Sequence, residues 1–366
     1  MSNARAVTIP PASAAAAPAK PAARSGYMPQ LDSVRGLAIL AVIIWHFESW
    51  SIQYVAWGPI GVRLFFVLGG FLVTGGLLRA RDQVAAGRQT VGAAVRAFFM
   101  GRAIRIMPAY YLVILIGFAF ALPSVREPLV WHLLFATNLY IGVHQTMPQE
   151  TAHFWFLGAQ EQFYLLWPFL VLLLPRRALI PASIALIALA LGARIAIVLG
   201  AANMFWYFAS PLSNLDAIGL GALIALLRHD GKDEVLARLT APGTAWVALG
   251  LFLIGSVVTQ FLYGSVLGTL CDLALSLSFA WLVIGAARGF QGVGGALLNA
   301  RPLRDTGVIS YGLYIVHPFM LPAVAWLGVK GYSGTVLAAA LAFLLAGLSW
   351  HFIEKPIVAL KAKRAR

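Results

Sequence analysis

The chain has 366 residues, of which 60% are hydrophobic and only 11% are charged, whereas soluble domains carry about 25% charged residues. This composition excludes a soluble globular domain and predicts an all-α, polytopic transmembrane helical bundle in contact with membrane lipids. A net charge of +14 would suit nucleic acid in a soluble protein, but here we assign it to cytoplasmic loops and expect no nucleic-acid partner. The single Cys271 excludes disulfides and Cys-rich zinc sites, and we expect no bound metal.

The sequence begins with a polar tail that is followed by three apolar segments. Residues 1–27 are rich in Ala and Pro, which predicts a disordered cytoplasmic tail. Apolar segments follow at about 34–52 and 59–78, and a third ends near residue 122 after a basic stretch. Each has about the 20 residues that a helix needs to cross a hydrocarbon core.

Seven more apolar segments complete the predicted bundle. They fall near 154–174, 178–199, 207–227, 244–263, 266–287, 307–327 and 335–353. We interpret the short piece at 129–141 as buried or interfacial, because most of the 27 basic residues then lie on one side, which is the cytoplasmic side. The sequence therefore predicts ten spans plus one partial element, cytoplasmic termini, a basic tail at 357–366, and no paired broken helices.

An ionisable pair in the first apolar segment is the first candidate for chemistry. Arg35 and His46 are eleven residues apart, so they share a helix face, with His46 about 16 Å deeper and near the bilayer midplane. A neutral imidazole there can take a proton from a hydroxyl and return it, which is the task of a general base. The alternative is a structural histidine satisfied by a hydrogen bond between helices.

Glu161 lies two helical turns inside the segment that begins near His153. Because a buried carboxylate needs a partner, we expect Glu161 to orient His46 and to stabilise its imidazolium form. The alternative is a structural ion pair with an arginine.

Two more carboxylates, Asp216 and Asp272, also fall in apolar segments. For these we favour a packing or pairing role, with Arg194 or Arg63 as partners.

Arg102 and Arg105 are one helical turn apart, just before the third apolar segment. Guanidinium groups at this spacing can bind phosphates in a bidentate manner, so we group them with Arg35 as donor-binding candidates. The alternative is the ordinary excess of positive charge on cytoplasmic loops. Polar and aromatic residues of later segments are expected to line a substrate cavity, because a polar stripe inside lipid must face the bundle interior. They are Tyr164, Tyr311, Tyr314, His317 and Trp155.

Six motifs in one order resemble the integral-membrane acyltransferase family 3, the bacterial O-acyltransferases of glycans and small molecules. The resemblance extends from about residue 30 to 356. The motifs are Leu31-Asp32-Ser33-Val34-Arg35 with His46, Gly61-Val62-Arg63-Leu64-Phe65-Phe66, Arg102-Ala103-Ile104-Arg105, Glu161-Gln162-Phe163-Tyr164, Ser310-Tyr311-Gly312-Leu313-Tyr314 with His317, and Phe352-Ile353-Glu354-Lys355-Pro356.

The resemblance implies a transmembrane acyltransferase domain at 28–356 in the bacterial inner (cytoplasmic) membrane. It further implies acetyl-CoA as donor substrate with no bound cofactor, an extracytoplasmic glycan or lipid-linked sugar as acceptor, and essential roles for Arg35 and His46. The family often has other residues where Arg63, Gly69, Gln160 and Gly101 stand, which puts roles at those positions in doubt. Because the sequence stops soon after Pro356, we expect no extra extracytoplasmic esterase-like domain.

Three functions remain open at this point. The leading hypothesis is O-acetyl transfer from acetyl-CoA to a sugar hydroxyl, with direct attack preferred over a covalent acyl-enzyme because no Ser or Cys accompanies His46 in its motif. Alternatives within enzymes are a succinyl or longer acyl donor, or a small-molecule acceptor. A membrane transporter would also have many spans and buried charges.

Overall fold

The computed structural model describes residues 27–47 and 55–357, and within these ranges it contains helices and no strand. This confirms the predicted all-α fold. Ten longer helices are labelled here in chain order. They are α1 (Pro29–Phe47), α2 (Trp57–Ala85), α3 (Val91–Ala119), α4 (Phe154–Leu173), α5 (Leu179–Ala196), α6 (Leu215–His229), α7 (Thr244–Leu253), α8 (Val266–Arg288), α9 (Ser310–Trp326) and α10 (Gly331–Ser349). The predicted tails at 1–27 and 357–366 lie almost entirely outside the described residues.

Shorter helices fill the connections between these ten. The segment at 129–141, interpreted as a partial element, forms two helices of five and eight residues, and neither is long enough to span. The short helices are Pro123–Arg126, Leu129–Leu133, Thr137–His144, Arg176–Ala178, Ile197–Ala201, Phe205–Ala209, Leu212–Asn214, Asp233–Leu239, Ile254–Val258, Thr259–Leu262, Gly292–Asn299, Arg301–Val308 and Trp350–Glu354.

Seven helices in the described part of the chain are long and apolar enough to cross a membrane, and the number is nine if two bent helix pairs each count as one span. The chain is therefore a multi-pass membrane protein, although the count is lower than the predicted ten. The predicted span at 207–227 is broken, and its longest piece, α6, has 15 residues, about 22 Å at 1.5 Å per residue. The two pairs are bent by 64° and 76°, each of them a broken span or a re-entrant loop, so bends occur that the apolar segments alone did not indicate.

Glycines bring α1, α2 and α6 into close contact at the centre of the bundle. A Cβ at Gly221 would collide with the Val67 carbonyl oxygen, and one at Gly70 with the Ile218 carbonyl oxygen. Small residues at such crossings let helix backbones approach closely, which drives helix association in lipid. This packing holds the functional ends of α1 and α2 side by side.

Four charged side chains from four helices form a network within this core. Arg63 on α2 donates to Asp216 at 2.8 Å, and fully buried Arg194 donates to the same carboxylate at 2.8 Å. Arg63 also lies 3.5 Å from Asp272. The predicted pairing of both aspartates with these arginines is confirmed, and the two positive charges are balanced by two negative ones.

Candidate active site

Two cavities contain the candidate residues, and the larger of these two opens beside the ends of α1 and α2 and has a volume of about 560 Å³. That volume lies within the usual range of roughly 300–1,000 Å³ for small-molecule sites. Its wall combines aromatic rings with polar groups, an arrangement that suits an amphipathic ligand. Members of the wall include Trp45, His46, Arg63, His153, Trp155, Tyr207, Gln260, Tyr263, Asp272 and Tyr314.

His46 lies in the last turn of α1 and is exposed at this cavity. Helix α1 runs to Phe47 at the edge of the described residues, and the rest of the predicted segment, at 48–52, lies outside them. The His46 Nδ1 is 2.8 Å from the Val42 carbonyl oxygen and 3.3 Å from the Nε2 of His317. Because a carbonyl oxygen can only accept, Nδ1 of His46 carries the proton and Nε2 keeps a free electron pair.

His317 on α9 supports this tautomer from the opposite side. Its own Nδ1 lies 3.0 Å from the Leu313 carbonyl oxygen and 2.9 Å from that of Tyr314, so this nitrogen also carries a proton. Its Nε2 is therefore the acceptor that faces His46. His317 is fully buried and lines neither cavity, in contrast to the predicted cavity-lining position.

Glu161 does not contact His46, and the expected pairing of the two was wrong. The carboxylate instead forms a bidentate ion pair with Arg102, whose Nε donates to Oε2 at 3.1 Å and whose Nη2 donates to Oε1. The guanidinium also stacks on the Tyr164 ring, 3.8 Å from its centroid. The arginine pairing considered as the alternative is thus the observed one, because a planar guanidinium matches both carboxylate oxygens while an imidazole matches one.

The smaller cavity, about 160 Å³, brings together all three arginines predicted to bind the donor. Arg35 is paired with Asp32 at 2.6 Å, and Arg102 is paired with Glu161. Arg105 makes neither an ion pair nor a hydrogen bond within the described part of the chain. Arg102 and Arg105 lie inside α3, not before it, because the helix starts at Val91.

Tyr314 lies between the two cavities and lines both. Its hydroxyl donates to the His153 backbone carbonyl. Tyr164 and Tyr311 line the smaller cavity, and Trp155 lines the larger one. The structure therefore divides the predicted cavity residues between two compartments that share Tyr314 in their walls, and His317 lines neither of them.

Sequence reasoning assigned no role to two polar residues of the larger cavity, His153 and Gln260. Both carry buried nitrogen atoms that have no hydrogen-bond partner among the described residues. His153 directly precedes α4, in the segment where Glu161 was the predicted catalytic residue. Its position as an ionisable residue at the start of an apolar segment was the signal that could have identified it.

Comparisons with known proteins identify the family of the chain. The family model described as an acyltransferase domain, that of acyltransferase family 3, matches residues 28–353. A putative peptidoglycan O-acetyltransferase of Bacillus subtilis is 29% identical over 362 residues, covering 90% of this chain and 55% of the relative. A peptidoglycan O-acetyltransferase of Listeria monocytogenes is 26% identical over 369 residues, covering 90% and 56%.

An O-acetyltransferase of Staphylococcus aureus is 27% identical over 362 residues, with 90% and 57% covered. The chain spans just over half the length of these curated relatives. No solved structure matches it. Because the family model covers nearly the whole described chain, the protein belongs to the integral-membrane acyltransferase family 3.

Proposed function

We propose that this protein is a membrane O-acetyltransferase that moves an acetyl group from cytoplasmic acetyl-CoA to a hydroxyl of an extracytoplasmic glycan or lipid-linked sugar. The observation that carries the proposal is the His46 imidazole, which lines a ligand-sized cavity and whose Nδ1 is bound to the Val42 carbonyl, so that Nε2 keeps its electron pair. The relatives named as O-acetyltransferases, two of them for peptidoglycan, support the acetyl group and a glycan acceptor.

The smaller cavity supports an anionic thioester donor. Its three arginines supply guanidinium groups suited to phosphates, and Arg105 is the one that makes no ion pair or hydrogen bond with another described residue. The volume of about 160 Å³ equals roughly five water molecules at ~30 Å³ each. It therefore admits the narrow, acyl-bearing arm of coenzyme A, while the nucleotide and its phosphates remain at the mouth.

In the proposed reaction, Nε2 of His46 accepts the proton of the acceptor hydroxyl as the oxygen attacks the thioester carbonyl. The carbon–sulfur bond then breaks, the thiolate of coenzyme A leaves, and the imidazolium returns the proton to it. The Val42 carbonyl and His317 hold the ring in the tautomer that this step requires. Glu161 serves in this scheme by holding Arg102 in place, not by contacting the base.

The two compartments also suit a transfer across the bilayer. We propose that the arginine-lined cavity opens to the cytoplasm, where basic residues concentrate, and that the His46 cavity opens to the outside. Tyr314, which lines both, would mark the point where the acetyl group passes between them.

The experiment that tests this function uses purified protein, acetyl-CoA labelled in the acetyl group, and de-O-acetylated peptidoglycan glycan strands. We expect labelled acetyl esters on the glycan. His46→Ala should reduce the rate about 10²–10⁴-fold, as for loss of a general base, while purification yield and unfolding temperature stay unchanged. A variant that retains more than about a tenth of the wild-type rate would contradict the assignment of His46 as the base.

A further inference from the structure

His153 is a buried histidine without a hydrogen-bond partner in the wall of the larger cavity. The residue is 5% exposed. Neither Nδ1 nor Nε2 has a partner of regular hydrogen-bond geometry among the described residues, and the closest backbone contact, with Ile315, is a weak one. The ring packs against His317 with centroids 5.4 Å apart and against Tyr314 at 5.2 Å. Buried polar groups are nearly always hydrogen-bonded, so an exception calls for an explanation.

The same cavity contains a second such group. The amide nitrogen of Gln260 is buried and has no partner within the described ranges, and Gln260 lines the cavity together with His153. Two unpartnered polar side chains around one void indicate a ligand that brings its own donors and acceptors. Rotation of either side chain towards the cavity would break no hydrogen bond of regular geometry, and such a rotation would expose the shielded nitrogens to a ligand.

The rest of the wall specifies the chemistry of that ligand. Both carboxylates near Arg63 are ion-paired, so this wall offers no unbalanced charge to attract an ionic group. Trp45, Trp155 and Tyr263 provide apolar ring faces. An uncharged ring with several hydroxyl groups fits both properties, since its faces can stack on aromatic rings and its edges can hydrogen-bond.

From this geometry we infer that His153 and Gln260 are acceptor-positioning residues, which hydrogen-bond two hydroxyl groups of an uncharged sugar in the His46 cavity. The inference rests on the proposed function. It assigns both residues to the acceptor and not to the donor, because they line the larger cavity and neither lines the arginine cavity. Neither residue takes part in the proton transfer itself.

The test compares His153→Leu, His153→Gln and Gln260→Leu in acetyl transfer to de-O-acetylated glycan strands. Loss of one neutral hydrogen bond predicts an acceptor KM raised about three- to tenfold in each Leu variant. His153→Gln keeps a donor and an acceptor at the site and should regain part of this loss. The KM for acetyl-CoA should remain at the wild-type value in all three, because neither residue lines the arginine cavity.

A stability measurement separates this role from a structural one. His132 is an equally buried histidine, and both of its nitrogens are paired, with Thr137 at 2.7 Å and the Ser124 carbonyl at 3.0 Å. His132→Leu should therefore lower the unfolding temperature in detergent. His153→Leu should leave it unchanged or raise it, because it removes a buried polar group that has no partner.

Two results would overturn the inference. One is an unchanged acceptor KM in both Leu variants. The other is a fall in unfolding temperature for His153→Leu that matches the fall for His132→Leu. A failure of the proposed function looks different, because the wild-type protein would then transfer no acetyl group to the glycan, whereas the two stability measurements would still decide whether His153 is structural.

Discussion

The Arg102–Glu161 ion pair makes a prediction that separates a catalytic Glu161 from a structural one. Glu161→Gln removes the negative charge and leaves the Arg102 guanidinium without a counterion inside the bundle. Breaking a buried pair in this way costs about 3–5 kcal/mol. The two side chains are 18% and 21% exposed, and the solvent that reaches them screens part of the lost attraction.

We therefore expect Glu161→Gln to lower the free energy of unfolding by about 2–4 kcal/mol. At roughly 2–4 °C per kcal/mol, the unfolding temperature in detergent should fall by about 5–15 °C. The double variant Arg102→Gln/Glu161→Gln should regain part of that loss, because it removes the unpaired charge. Arg102→Lys should also lower the unfolding temperature, since lysine cannot make the bidentate contact with Glu161.

A matched control is the more exposed pair of Arg176 and Asp230, whose side chains are 31% and 32% exposed. Asp230→Asn should change stability by no more than about 1 kcal/mol. The assay measures thermal unfolding and turnover on the same samples. If Glu161→Gln unfolds at the wild-type temperature and yet loses turnover, then the structural assignment is wrong and Glu161 acts in the chemistry.

Three further predictions follow from the site and the core. His317→Leu should lower turnover only about fivefold, the effect of one weak hydrogen bond, because the Val42 carbonyl still holds the His46 tautomer. A loss of turnover as large as that for a general base would give His317 a direct catalytic role. Arg105→Ala should raise the KM for acetyl-CoA more than it lowers turnover, and equal KM values for it and exposed Arg96→Ala would refute donor binding. Gly221→Ala should destabilise the α2–α6 contact by about 1–3 kcal/mol, unlike Gly192→Ala, where a Cβ meets open space; calorimetry or thermal unfolding measures both.

Local patterns in the sequence were sufficient for most of the helices and for the pairing of the core aspartates, but not for the division of the candidate residues between two cavities. Apolar segments predicted most helices because each needs only its own residues to form. Asp216 was paired correctly with Arg63 and Arg194 because an isolated charge in lipid must find a partner, and few partners were present. The break before α6 was missed, because apolar content alone does not reveal where a segment bends.

The partners of the reacting groups could not be predicted in the same way. His46 and His317 are separated by 271 positions, and no periodicity connects two helices that far apart. Glu161 had two chemically reasonable partners, a histidine and an arginine. Only the packing of α3 against α4 makes Arg102 the one that it contacts. The unpartnered state of His153 is a property of its surroundings, so the sequence contains no pattern that specifies it.

The central claim is that one site joins a cytoplasmic donor to an acceptor on the other side of the membrane. Its most direct test uses proteoliposomes of defined orientation, with labelled acetyl-CoA on the cytoplasmic-equivalent side and glycan strands only on the other. The account predicts acetylated glycan on the far side, free coenzyme A retained on the donor side, and no product with His46→Ala. Product that forms only when donor and glycan share the cytoplasmic-equivalent compartment would contradict it.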